Sequence, residues 1–96
     1  MRITTVIVLT LTLCILNSGC NSESSRDAYF YNNRGVDYDG QGEWDKAIAD
    51  YNMAIELEPQ LAVAYSNRGF VFEELGDNKN AEADFAKAKE LGYEPE

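Results

Sequence analysis

The chain has 96 residues, with 17 acidic side chains against 8 basic ones, for a formal charge of −9. It has no histidine and two cysteines, Cys14 and Cys20, which excludes zinc sites of the usual Cys/His type and any catalytic arrangement built on histidine. An acidic surface of this kind also argues against nucleic acid, which rewards basic patches.

In chain order the first element is a leader. Met1-Arg2 is a minimal positive start, Ile3 to Leu16 is apolar and uncharged, and Asn17-Ser18-Gly19-Cys20 follows. A charged start, an apolar run and small residues before a cut site predict a secretory signal peptide over 1–19. Cysteine directly after Ser-Gly resembles the bacterial lipoprotein cleavage motif, although Asn17 stands where leucine is usual. The resemblance implies that Cys20 becomes the first mature residue and the point of lipid attachment. A soluble secreted protein and an uncleaved anchor stand as alternatives. The lipoprotein reading implies a bacterial cell-envelope location. Asn21, in place of the aspartate of inner-membrane retention, favours the outer membrane, facing the periplasm.

Cys14 would be lost with the leader, so the mature domain has no disulfide framework. Residues 20–26 are polar and serine-rich and read as a tether. Fully extended, they reach about 20 Å. Lipid rather than charge would hold so acidic a chain on an anionic membrane.

The next four elements are predicted helices. The first runs from about Asp27 to Asp39 and breaks at Gly40-Gln41-Gly42. The second runs from about Glu43 to Leu57 and stops before Pro59, because proline disfavours helix in the residue before it. The third runs from about Gln60 to Leu75. After a turn at Gly76-Asp77, the fourth runs from about Asn78 to Leu91. Trp44, Ala47, Ile48, Tyr51, Ala54 and Ile55 follow the i, i+3, i+4, i+7 rhythm of one buried face.

The second half of this region copies the first at a spacing of 34. Tyr31, Asn33, Arg34, Gly35, Gly42, Ala47, Asp50, Ala54 and Leu57 recur as Tyr65, Asn67, Arg68, Gly69, Gly76, Ala81, Asp84, Ala88 and Leu91. A fixed period of this size marks stacked repeats. The spacing and residue types resemble the tetratricopeptide repeat family, in its variant with Asn-Arg-Gly in the first helix. Repeat one spans 28–61 and repeat two 62–95. The resemblance rests on Gly35, Ala47 and Ala54, with Gly69, Ala81 and Ala88. Tyr31, Tyr38 and Tyr51, then Tyr65, Phe72 and Phe85, fill between them. Pro59 closes the first copy at the family's proline position, whereas Tyr93 stands there in the second. The fold expected is all-α: two helix–turn–helix repeats, four antiparallel helices in a short solenoid, after the signal segment.

Gly35 and Ala47 should let two helices approach closely beside Tyr51. Arg34 should pair with Asp50, and Arg68 with Asp84, within each repeat. The resemblance also implies a non-enzymatic module that holds a protein or peptide, without cofactor or metal. Asp37 and Asp39 near Gly40 and Glu43 fail the twelve-residue spacing of a calcium loop.

In the family the first helix of each repeat lines the groove. Here that implies Tyr29, Asn32, Asn33 and Val36, then Val63, Ser66, Asn67 and Phe70, with Asp39 and Glu73 at the far end. Simple helix packing is the alternative for Phe70, and a helix–helix hydrogen bond the alternative for Asn33 and Asn67. Chaperone-binding members clamp a terminal carboxylate with groove lysines. No lysine lies in either first helix here, and Asn32 and Val36 occupy two clamp positions, so that activity is not expected. Two repeats bury little core. Glu82, Lys87 and Lys89 replace Ile48, Met53 and Ile55, which gives the last helix a polar outer face. The aromatic end, Tyr29-Phe30-Tyr31, is expected to pack under the tether or to join copies in a homo-oligomer.

Overall fold

The computed structural model describes residues 23–94, and the leader and Cys20 lie outside them. Four helices follow one another: α1 (23–40 among the described residues), α2 (Trp44–Leu57), α3 (Ala62–Glu74) and α4 (Asn78–Glu90). No strand occurs among the described residues. The fold is therefore all-α, two helix–turn–helix units as expected, with helix ends within two residues of expectation except at the start of α1.

α1 starts earlier than expected. Residues 23–26, read from sequence as part of a tether, are helical. Ser25 Oγ donates to Glu58 at 3.0 Å, and Ala28 is fully buried. These contacts tie the start of α1 to the end of α2, so the helix persists through a polar stretch.

The three helix ends at glycine share one construction. Gly42, Gly76 and Gly92 all have positive φ, at 75°, 79° and 94°. After each glycine the next N–H reaches back to a carbonyl five residues earlier: Glu43 to Tyr38, Asp77 to Phe72 and Tyr93 to Ala88. Each glycine N–H bonds Asp39, Glu73 or Lys89 in turn. This is a Schellman end, which satisfies carbonyls that the helix leaves unpaired. It also explains the missing second proline. At Tyr93 the backbone must donate to Ala88, and proline has no N–H to give. α2, by contrast, ends without glycine: Glu58 N–H bonds Ala54 and Pro59 follows.

Small residues set the helix spacing. One cluster joins Ala28, Ala54, Leu61 and Ala64, with Tyr31, Ile55, Leu57 and Val63 packed against it. A second joins Ala47, Tyr51 and Val71, with Tyr38, Trp44 and Ile48. Both clusters span the two repeats, so α3 is the helix that binds them together. In α4, Ala81 and Ala88 are buried in the same way.

At the glycines of α1 and α3 an added Cβ would stand 2.6 Å from Tyr51 Cε1 at Gly35, and 2.8 Å from Phe85 Cε1 at Gly69. Those distances are below any real Cβ contact, so each ring occupies the space that glycine leaves. Tyr51 has no exposed surface at all.

Candidate protein-binding surface

The two arginine–aspartate pairs form as the sequence suggests. Arg34 Nε and Nη2 donate to Asp50 at 2.7 and 2.8 Å. Arg68 Nε and Nη2 donate to Asp84 at 2.8 and 2.7 Å. Both aspartates are buried, and each accepts both bonds from the planar guanidinium fork. The carboxylate raises the pKa of each arginine. Each arginine also lies over aromatic rings one turn either side, Tyr31 and Tyr38 for Arg34, Tyr65 and Phe72 for Arg68. The signal for this sandwich was present in the sequence, as Tyr-x2-Arg-x3-Tyr recurring as Tyr-x2-Arg-x3-Phe.

The two arginines differ in their third nitrogen. Arg68 Nη1 donates across the repeat boundary to Asn52 Oδ1 at 2.8 Å. Arg34 has no such acceptor among the described residues. Its side chain is accordingly 45% exposed against 21% for Arg68.

The groove positions divide into two sets. Tyr29, Asn33, Val36 and Phe70 are exposed. Val36 and Phe70 occupy the same place in successive repeats, with 46% and 48% of their surface open to solvent. Phe70 also packs edge-on against Phe85, with ring centroids 5.0 Å apart. It thus combines packing on one edge with an open face. Asn32 and Ser66, expected to face a ligand, are buried. Asn32 Oδ1 accepts a bond from half-buried Asn67 Nδ2 at 3.1 Å. The helix–helix bond considered for Asn33 and Asn67 therefore joins Asn67 to Asn32 instead. An amide buried at 4% exposure needs a partner, and the facing amide supplies it. Ser66 lies under α4, at the edge of a depression of about 430 Å³ shared with Phe85, Ala88, Lys89, Tyr93 and Glu94. Val63 is half-buried against the first cluster.

The Tyr51 hydroxyl carries no signal in the sequence, because its burial depends on the packing of the helices around it. It is fully buried and has no hydrogen-bond partner among the described residues. Burial, with Asp39 and Asp50 nearby, pushes its pKa well above the usual 10.0. Repeat two places Phe85 at the same point, without the hydroxyl.

No group of three or more acidic or Cys side chains capable of holding a metal occurs among the described residues. No helix among them is long and apolar enough to cross a membrane.

This geometry of paired helices, glycine-seated rings and exposed first helices is that of a repeat scaffold. Comparison with known families agrees. A TPR repeat model matches residues 37–76, and a tetratricopeptide repeat model matches 62–91. The chain carries tetratricopeptide repeats, in keeping with its paired antiparallel helices. Among curated proteins none matches it significantly.

Among the solved structures that resemble it are two with clear sequence similarity. The first TPR of Spaghetti (RPAP3) bound to the HSP90 peptide SRMEEVD has 29% identity and a TM-score of 0.70. That match covers 71% of this chain and 54% of the other. MamA has 38% identity and a TM-score of 0.65, over 67% of this chain and 37% of its own. The chain thus spans about half and about a third of these two proteins.

Proposed function

We propose that the chain is a non-enzymatic adaptor that holds a protein or peptide along α1 and α3. The observation that carries this reading is the pair Val36 and Phe70. Two large apolar side chains stand open to solvent at the same register of neighbouring helices, and core packing does not use their exposed faces. Asn33 beside them offers both donor and acceptor to a bound backbone. The peptide-bound Spaghetti domain shows that a related scaffold takes a peptide. Its ligand is acidic, and the absence of lysine on α1 and α3 makes a different ligand the expectation here. The leader and Cys20 support a lipid-anchored protein of the bacterial envelope, at the outer membrane and facing the periplasm.

Photo-crosslinking groups placed at Val36 and Phe70, with one at Glu82 on α4 as control, test the adaptor. A partner trapped from the first two sites and absent from the third supports it. Equal yields from all three sites would reject the groove. Cys20→Ser tests the anchor separately: the variant should leave the membrane fraction, and retention would refute lipidation. The second reading, a self-associating assembly subunit, is favoured by the exposure of Tyr29 and Phe30.

A further inference from the structure

The α2–α3 junction shows what a neighbouring helix must provide to stack on this scaffold. Ile48 packs with the cluster that holds Val71. Asn52 accepts from Arg68 Nη1. Ile55 packs with the cluster that holds Ala64. Ile48, Asn52 and Ile55 are spaced i, i+4 and i+7 on one helix face.

The 34-residue period carries this template to both ends of the chain. At the open front of α1, Ala64, Arg68 and Val71 become Phe30, Arg34 and Asp37. At the back of α4, Ile48, Asn52 and Ile55 become Glu82, Ala86 and Lys89. A second copy stacked in the same way would set Glu82 against Asp37, two like charges. It would offer Ala86, which has no side-chain acceptor, to Arg34. It would press Lys89 on Phe30, where a bulky ring stands in place of Ala64. The two ends of this chain do not fit each other.

The front of α1 is nevertheless built to receive a helix. Phe30 is 57% exposed and lies against the Arg34 guanidinium at 5.5 Å. Nε and Nη2 of Arg34 are engaged by Asp50, and the remaining Nη1 is the counterpart of the nitrogen that Arg68 gives to Asn52. Asp37 is exposed beside them.

We propose that this face docks a helix of another polypeptide. That helix carries a lysine or arginine facing Asp37, an amide or carboxylate oxygen four residues on for Arg34 Nη1, and a small residue three further for Phe30. The surface is distinct from the groove of α1 and α3 and continues the interface that already joins the two repeats.

The test uses the full chain with its own α4 remade to this pattern. The probe carries Glu82→Lys, Ala86→Asn and Lys89→Ala, with Phe30→Glu to blunt its own front. In sedimentation velocity, wild type alone should stay monomeric and wild type with probe should form a one-to-one complex. Asp37→Lys in the wild-type partner should weaken that complex at least tenfold. A milder probe, Ala86→Asn with Phe30→Glu, should give a weaker complex of the same stoichiometry and serves if the full probe loses helicity. Absence of a complex with both probes overturns the proposal. So does self-association of wild type that Phe30→Glu abolishes, which would make a second copy the occupant. Phe30→Cys in the full chain should alkylate at the rate of an exposed thiol. Protection in the monomer would assign the face to residues 1–22 and also overturn the proposal.

Discussion

Tyr51 shows how a single atom separates two equivalent positions of the repeats. Its ring fills the space above Gly35, as Phe85 fills the space above Gly69, but its hydroxyl is buried with no partner among the described residues. A buried polar group without a hydrogen bond costs stability. Tyr51→Phe should therefore be neutral or raise stability by up to about 1 kcal/mol in urea unfolding. A loss of that size would reveal a partner. The pH dependence follows from the raised pKa, with 10.0 as the ordinary value. The folded state holds the proton more tightly than the unfolded state. The tyrosine's contribution is thus complete below about pH 10 and is lost progressively as pH rises beyond it. Wild type should unfold in alkali at lower pH than Tyr51→Phe, and coincident alkaline transitions would contradict this. At Gly35 the argument reverses. A Cβ would stand 2.6 Å from the Tyr51 ring, so Gly35→Ala should cost about 1–3 kcal/mol by overpacking. A variant that melts with wild type would refute the close approach.

At the scale of the element, the last helix departs most from its counterpart. α2 stops at Pro59, whereas α4 stops at a Schellman turn on Gly92 in which Tyr93 N–H bonds Ala88 at 2.9 Å. Restoring the proline of the first repeat should therefore harm the second. Tyr93→Pro removes that donor and should cost about 1 kcal/mol, read as a lower thermal midpoint and faster hydrogen exchange in the last turn of α4. An unchanged midpoint would show that the turn contributes nothing. Helix existence and order were legible in the sequence, because apolar periodicity, glycine and proline act locally. The start of α1 was not. Residues 23–26 have the composition of a linker, and their helix is tied down by Glu58, more than thirty positions away.

For the whole molecule, stability depends on how the two repeats are joined. Besides the shared clusters, three side-chain hydrogen bonds cross the boundary among the described residues: Asn67 to Asn32, Arg68 to Asn52, and the Tyr65 hydroxyl to the Pro59 carbonyl. Asn67→Ala leaves the Asn32 amide buried without a partner, which should cost about 1–3 kcal/mol. Adding Asn32→Leu should recover part of that loss in a double-mutant cycle. Additive losses would show that the amides do not act as a pair. Arg68 belongs to the same junction. Its removal strands Asp84, which is 5% exposed, so Arg68→Ala should destabilise by about 2 kcal/mol or more. An Arg68 and Asp84 cycle without coupling energy would remove the pair from the account.

The groove was only partly legible for the same reason. The resemblance to the repeat family placed Tyr29, Val36 and Phe70 on one surface, and all three are exposed. It assigned Asn32 and Ser66 there as well, yet both are buried. A position in a repeat fixes where a residue lies on its helix. It does not fix how far the next helix covers it.

The sequence by itself determined the repeat, its four helices, the glycine–ring seats and the two arginine–aspartate pairs. Each of these depends on spacing within one unit, and the unit is written twice. Only the tertiary structure decided that Asn67 bonds Asn32 and that, among the described residues, Arg68 gains a third acceptor while Arg34 does not. Those outcomes arise where one repeat covers another, and coverage depends on neighbours in space rather than on neighbours in the chain.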